Sequence, residues 1–384
     1  MMQRIQSEEL KIQQIISNHL DSGQPIMDHT DDIDTSTIFS ELKSANSFVL
    51  FTNFSESELK SFLNRIKPYC IEPTKRGPKS KLNWVDSCLI LLMYYKSYWE
   101  LEKLEKFTKQ SAHTITSVIT RYRIIFNKFL NDEWLKTKRR PEINHSNFPY
   151  VGINFDHTSI EIYKPYVEYN SAKRFFDSKN KIYAFKKGVG ILPISGYAVF
   201  IFESIPGSVH DYQDLKDHYL EIVDYLRKTE TERNNSSITD PHLSWYATFD
   251  KGYVGDETKD TPGLRKLVPN KNPQSSEDYQ RTRDIYANHH IERFFGRMKR
   301  LWKIVSSVYR NDKTSFDIDA NNCILLTNEH IRFYHLLEDD KAFHQALLFS
   351  RVTNNTEKDR KRKAQQDRYM EAKKLRLDDT VIRQ

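Results

Sequence analysis

Apolar residues recur at every third or fourth position in the stretch from Ser55 to Leu130, and at Tyr150 the period changes to strand-like. In the first region a capping-box pattern, Ser55 followed by Glu58, predicts a helix that continues to Lys67 and stops at Pro68. Three further helices are expected between Asn83 and Leu130. Asn83 caps a buried one through Tyr95, and the others cover Tyr98–Phe107 and Ala112–Phe129. The later pattern predicts strands over Tyr150–Asp156, Thr158–Tyr163, Ala184–Leu192 and Gly196–Ser204, all rich in Ile, Val, Phe or Tyr. A helix follows over Tyr212–Arg227, then strands over Trp245–Asp250 and Leu264–Pro269. A long charged helix over Ser276–Val305 and an apolar one over Ile318–Leu337 complete the pattern. This order implies an α/β fold, a mixed sheet flanked by helices.

The organisation read from these patterns is a mostly disordered polar leader over 1–46, with one amphipathic stretch at Ile5–Leu20, and a helical region over 47–140. An α/β domain follows over 141–340, with the polar Lys228–Asp240 as a surface insertion, and a basic tail over 341–384. The longest apolar run, Cys88–Tyr95, falls far short of the ~20 residues that span a bilayer, and the start of the chain carries no secretory pattern. A soluble intracellular protein is expected. Cys70, Cys88 and Cys323 lack paired spacing, which argues against a disulfide framework and a zinc finger. Of the net charge of +7, five units belong to the segment from Arg351 on, where eleven Lys or Arg face six Asp or Glu. Its clusters RKRK (Arg360–Lys363) and KKLR (Lys373–Arg376) have the form of a bipartite nuclear-import signal, or of a basic helix that adheres to DNA. A eukaryotic protein of this kind would be nuclear; otherwise it would be cytoplasmic or nucleoid-associated.

Candidate DNA contacts include the outer faces of the helix around Glu292, where Arg293, Arg297, Lys299 and Arg300 would meet a phosphate backbone, and three further places. The segment Lys106–Arg123 has the grammar of a helix-turn-helix: Leu101, Leu104 and Phe107 would pack on Ile115, Val118 and Ile119, with His113, Thr114, Ser117 and Arg121 facing outward. A plain helical bundle has the same periodicity. The loop Thr74–Lys81 reads equally as a solvated linker or a loop on a DNA backbone. Lys173, Arg174, Lys179, Lys181, Lys186 and Lys187, interleaved with Phe175, Phe176, Tyr183 and Phe185, form a basic-aromatic patch that reads as a nucleic-acid track or a solvated hairpin.

The chemistry rests on acids. Two-metal phosphoryl chemistry needs carboxylates converging from separate elements, because hard divalent ions prefer oxygen ligands. Asp156 closes the apolar run GINFD, and Asp250 closes WYATFD before Lys251 and Gly252, which permit a sharp exit. Glu292 lies beside an apolar stripe of Ile291, Phe295, Met298, Leu301 and Trp302, directed toward the sheet, while Arg293, Arg297, Lys299, Arg300 and Lys303 occupy the outer faces. His289 and His290 point about 100° apart on a helix, which disfavours zinc binding with Glu292.

Four segments, FDHTSIEI (Phe155–Ile162), PGSVHDYQ (Pro206–Gln213), FDKGYVG (Phe249–Gly255) and RDIYANHHIERFFGRMKRLWKI (Arg283–Ile304), together resemble the PIF/Harbinger-like and related insertion-sequence DDE transposases. With the helix-turn-helix, the resemblance covers roughly Lys79–Leu337. It implies an RNase-H-like fold in which Asp156, Asp250 and Glu292 form the metal-binding, catalytic triad, with two Mg²⁺ or Mn²⁺ ions. It implies metal-dependent cleavage of phosphodiesters at element ends and attack of the freed 3′-hydroxyl on target DNA. Asp211 is a supporting acid, with His210 as its neighbour, and serves as a helix cap, a buttress to a ligand or a further ligand. His157 departs from the small residue common in relatives at that position. Double-stranded DNA is the implied partner, with room for a homo-oligomer and a separate DNA-binding helper protein. The alternative is a domesticated, catalytically silent DNA-binding protein.

Overall fold

The computed structural model describes residues 33–336 except 34–35, 71–81, 138, 142–149, 167, 235–241, 254–259, 271–273, 279–280, 283–284 and 286–289. The amphipathic stretch Ile5–Leu20, the loop Thr74–Lys81, His289 and the basic tail therefore lie outside the described residues.

The helical part opens with α1 (Thr37–Ser44), inside the stretch expected to be a disordered leader. Ile38, Phe39 and Leu42 give it a buried apolar edge. Its Ser36 cap also donates to Asp86, which accepts from the Ile38 amide at 2.9 Å. These local bonds and that burial overcome a polar composition. Helix α2 (Glu56–Ile66) carries the full capping box of Ser55 and Glu58. Helix α3 (Trp84–Ser97) is buried from Val85 to Tyr95; its apolar run Cys88–Tyr95 has no polar face, and Asp86 and Ser87 are buried at its start. Helix α4 (Leu101–Thr108) and the long α5 (Ala112–Trp134) are joined at Lys109, which takes the left-handed conformation. Leu104, Ile115 and Ile119 are buried between them. Phe107 turns instead toward the rings of Phe51 and Trp99.

The sheet contains β1 (Val151–Glu161), β2 (Phe176–Asp177), β3 (Ile182–Ile191), β4 (Ala198–Ile201), β5 (Ile205–Pro206), β6 (Tyr246–Thr248) and β7 (Lys266–Leu267). Its order is β2-β3-β1-β6-β7, with β4 and β5 also paired to β3. β3 is antiparallel to β1, whereas β1, β6 and β7 run parallel. The sheet is thus mixed and flanked by helices. The two strands expected over 150–163 are one. Asp156, His157 and Thr158 supply no Gly or Pro, and β3 pairs continuously from Asn154 to Glu161.

Helix α6 (Asp211–Leu226) covers one face through Leu215, Ile222 and Leu226, which cluster with Ile153, Phe155, Trp245, Ala247 and Phe249. The long helix expected over 276–305 is, at its end, α7 (Ile291–Leu301), a break at the extended Trp302 and a short turn, Lys303–Ser306. The fully buried Trp302 ring, donating from Nε1 to Thr327 Oγ1 at 3.1 Å, holds that break. The last helix among the described residues is α8 (Phe316–Ile331), which packs against both α5 and β4.

Two buried acids of α8 tie the helical layer to the sheet. Glu329 accepts from Arg65 and from Trp134 Nε1 (2.7 Å). Asp319 accepts from Tyr95 Oη (2.7 Å), Tyr309 Oη (2.9 Å) and Asn311 Nδ2 (3.1 Å), and lies 3.4 Å from Arg123 Nε. Removing such an acid strands a buried guanidinium and two hydroxyls. Asp319→Ala is expected to cost about 3–5 kcal/mol in urea denaturation. A loss within ~0.5 kcal/mol would show that Asp319 does not hold the layers together.

Candidate functional site

The parallel pairing of β1 and β6 sets Asn154 level with Thr248, and Thr248 Oγ1 donates to Asn154 Oδ1 at 2.6 Å in a buried position. Asp156 and Asp250 each follow two residues later, Asp156 on β1 and Asp250 in the chain just past the end of β6, so both acids lie shortly beyond that rung. β6 ends at Thr248 while β1 continues, paired to β3 alone. Asp156 therefore sits where the sheet loses a neighbour, within its strand and not at the strand end expected for it. Asp250 Oδ1 accepts from the Lys251 amide at 2.7 Å. The 3-10 turn Lys251–Tyr253 then brings Tyr253 back against Asp156, whose Oδ1 accepts from the Tyr253 hydroxyl at 3.2 Å and from the His157 amide at 2.8 Å.

Burial pushes the Asp156 carboxyl up to about 7; the charges of Asp250 and Asp211 act in the same direction, against the His157 amide and ring. Burial, with the same three acids, also holds the Tyr253 phenol well above its ordinary value. These effects place Asp156, Asp250, Asp211 and Tyr253 in one electrostatic neighbourhood.

Asp211 is brought there by the PGSVHD motif. A Cβ on Gly207 would stand 2.5 Å from the Phe175 carbonyl oxygen and 2.9 Å from that of Ala184, so only glycine fits the approach. His210 caps α6, its Nδ1 accepting from the Tyr212 amide at 3.2 Å. The cap is thus the histidine, and Asp211 in the first turn pairs with Lys186, whose Nζ donates to Asp211 Oδ1 and the Val209 carbonyl, both at 2.9 Å.

Two residues beyond the expected set belong to the site, Asp214 and Tyr253, and His157 joins them. The buried His157 ring bridges Asp214 Oδ2 through Nε2 and Tyr253 Oη through Nδ1, each at 2.6 Å. A neutral ring donating to Asp214 accepts from Tyr253; a doubly protonated ring donates to both, and Tyr253 then gives its hydrogen to Asp156. Gly188 on β3 leaves the space, since a Cβ there would lie 2.9 Å from His157 Nε2. A sequence signal existed for Asp214: it falls on the same helical stripe as Ile222 and Tyr225, where an acid is buried and needs a partner.

Several residues expected to face DNA do not. Lys187 is buried and paired with Asp317, because it lies on the strand face that α8 covers. Burial pulls its ammonium below the ordinary lysine value. Arg297 is 4% exposed and donates to the Tyr334 carbonyl at 3.1 Å, with His330 Nδ1 at 3.2 Å, on the inner and not the outer side of α7. Glu292 is exposed in the first turn of α7, on the flank of the buried stripe of Ile291, Phe295 and Met298. Lys299 donates to the Ser159 carbonyl at 3.0 Å, and Arg300 is exposed. At the start of α5, His113 and Ser117 are exposed and Thr114 and Arg121 half-buried. Among the described residues, no three His, Cys, Asp or Glu side chains are grouped closely enough to hold a metal ion.

Residues 155–328, which include all these acids, match the family model described as DDE superfamily endonuclease. The match supports a DDE transposase-like endonuclease domain in this chain, and the mixed sheet flanked by helices is consistent with that fold. Such a domain implies DNA as substrate, and its superfamily generally uses divalent metal ions. No curated relative and no solved structure matches the chain. Among the described residues no helix is long and apolar enough to cross a membrane.

The raised Asp156 value sets a stability signature. Between the ordinary 3.8 and about 7 the folded protein binds a proton that the unfolded chain has released, so this contribution is complete below 3.8 and is lost as pH rises through 7. Metal-free Asp156→Asn is expected to melt roughly 5 °C above the parent at pH 8, the gap closing as pH falls toward 4. A gap that does not change with pH would refute this.

Proposed function

We propose that the protein is a DDE transposase with an RNase-H-like catalytic domain of the PIF/Harbinger-like group. In this reading it cleaves phosphodiesters at transposon ends and joins the freed 3′-hydroxyls to target DNA. The observation that carries the reading is the position of Asp156 on β1 and of Asp250 just past β6, each two residues beyond the paired rung of Asn154 and Thr248, within the segment similar to DDE endonucleases.

The donor set fits a hard divalent cation. Burial and neighbouring acids raise the Asp156 carboxyl, and a cation relieves that repulsion. Asp156, Asp250 and Glu292 are the proposed ligands of two Mg²⁺ or Mn²⁺ ions. For Glu292 the support is a matter of register. Lys299 meets Ser159 and Tyr309 pairs with Ile162, so α7 and the segment after it follow β1 in its own direction. From Lys299 back to Glu292 is ~10.5 Å of helix, and from Ser159 back to Asp156 is ~10 Å of strand, which favours Glu292 lying level with Asp156.

When bound, the ions supply the positive charge that activates water and stabilises the charge building on the phosphate. The chain's own residues hold and orient the ligands. Tyr253 and the His157 amide fix one oxygen of Asp156, and Lys186 anchors Asp211, the supporting acid, against β3. Arg293, Lys299 and Arg300 flank the site on α7, while His113, Thr114, Ser117 and Arg121 are the proposed DNA-reading surface of the helical region. All three acids being present favours catalysis over a silent DNA-binding descendant. The basic tail is the proposed nuclear-import segment.

The test is nicking of a plasmid carrying the element's terminal repeats in Mn²⁺ or Mg²⁺, with strand transfer scored by sequencing junctions. Asp250→Ala and Glu292→Gln are each expected to lower nicking at least ~100-fold, because each removes a ligand charge. Wild-type nicking no greater than that of Asp250→Ala would overturn the reading.

A further inference from the structure

Three tyrosines between the end of β1 and the short helix Tyr169–Lys173 are turned outward: Tyr163 is 65%, Tyr166 106% and Tyr169 70% exposed. They lie within seven residues of one another in the chain. Large exposed aromatics without an apolar partner are uncommon on a surface with no binding role. Their surroundings are basic. Lys164, Lys173 and Arg174 are exposed in the same segment, and Lys179 and Lys181 are exposed at the turn of the adjoining β2–β3 hairpin. Glu168 is the one exposed acid from Tyr163 to Lys181, among the described residues.

The hairpin is built to hold its turn. Asp177 Oδ1 accepts from the Lys179 and Asn180 amides at 3.0 and 3.3 Å, and Lys181 takes the left-handed conformation. The interleaved aromatics pair with one another: Phe176 packs edge-on against the half-buried Tyr183, and Phe175 against the buried Phe185. The lysines of the turn and the three tyrosines are the more exposed side chains. The hairpin joins β1 where the Ile162 amide donates to the Tyr183 carbonyl at 2.8 Å, so the tyrosine segment leaves the sheet beside the lysine turn.

We infer that Tyr163, Tyr166 and Tyr169, with Lys164, Lys173, Arg174, Lys179 and Lys181, form a binding surface for unpaired nucleotides of the substrate DNA. The chemistry is that of single-strand recognition: positive charge follows the phosphates and phenol rings stack on bases, whatever their sequence. An apolar protein partner fits less well, since the rings stand among five cations. The surface begins about 20 Å along β1 from Asp156, at ~3.3 Å per residue, which is the span of about six stacked nucleotides. A strand whose phosphodiester lies at the acids therefore reaches the tyrosines with its frayed end. This inference rests on the proposed DNA-cleaving function and adds to it a preference for ends that are open.

The experiment compares the full chain with a Tyr163→Ala/Tyr166→Ala/Tyr169→Ala variant and a variant with Phe at the same three positions. The probes are a blunt 20-base-pair duplex and the same duplex with a six-nucleotide single-stranded tail carrying 2-aminopurine. The wild type is expected to bind the tailed probe about tenfold more tightly than the blunt one, as stacking one base supplies, and to quench the 2-aminopurine. The Ala variant is expected to lose the preference and the quenching while keeping blunt-duplex affinity and metal-dependent nicking; the Phe variant is expected to keep all four. A wild type without tail preference, or an Ala variant that retains it, overturns the inference and leaves the cleavage reading standing. Failure of the wild type to bind either probe or to nick DNA overturns both.

Discussion

The arrangement of the site depends on the parallel pairing of β1 with β6. Asn154 and Thr248, hydrogen-bonded to each other in the interior, lock the register, and a register fixed at that rung decides where the residues two positions later stand. A slip of one residue would turn either acid to the opposite face of the sheet. The buried apolar partners of the two strands resist such a slip. Phe155 and Phe249, on the two sides of the pairing, contact each other and share Tyr253 as a neighbour. Hydrophobic packing on one face thus holds carboxylate chemistry in place at the margin.

That margin carries an electrostatic cost. Asp156 is raised by burial and then by other acids, and the protein answers with bonds to particular oxygens, not with a cation at Asp156 itself. Lys186 pairs with Asp211, while the charge of Asp250 adds to the burial that raises the Asp156 carboxyl. A site left under-compensated in this way is suited to receive positive charge from outside, which is the physical sense of the proposed metal ligation. Behind it, the buried set of Asp214, His157 and Tyr253 links the first turn of α6 to the turn after β6, so two elements far apart in sequence constrain one carboxylate.

The helical region and the sheet share buried polar anchors. Asp319 and Glu329 of α8 draw in Tyr95, Arg123, Arg65 and Trp134 from the helices that precede the sheet. Buried charges paired across layers fix which surfaces meet, because an acid separated from its partners is left desolvated. The same logic explains why basic residues expected at a DNA surface were found inside: Lys187 and Arg297 satisfy buried acceptors or acids across layers, and a single sequence does not say which lysine has such a partner.

Local sequence determined what local forces control. The capping box at Ser55, the Asn83 cap, the apolar run within α3 and the strand alternation of 182–201 set their elements with bounds close to those observed, because caps and periodicity act within a few residues. The apolar strand runs that lead into Asp156 and Asp250 were legible for the same reason. Only the tertiary structure decided that β1 runs unbroken past Asp156, that Trp302 breaks the helix after α7, that a polar leader ends in the packed helix α1, and that Asp214, His157 and Tyr253 meet. Each of these is set by a partner from a distant part of the chain: β3, Thr327, Asp86 and α6. Pairing across such distances leaves no period in the sequence from which it can be read.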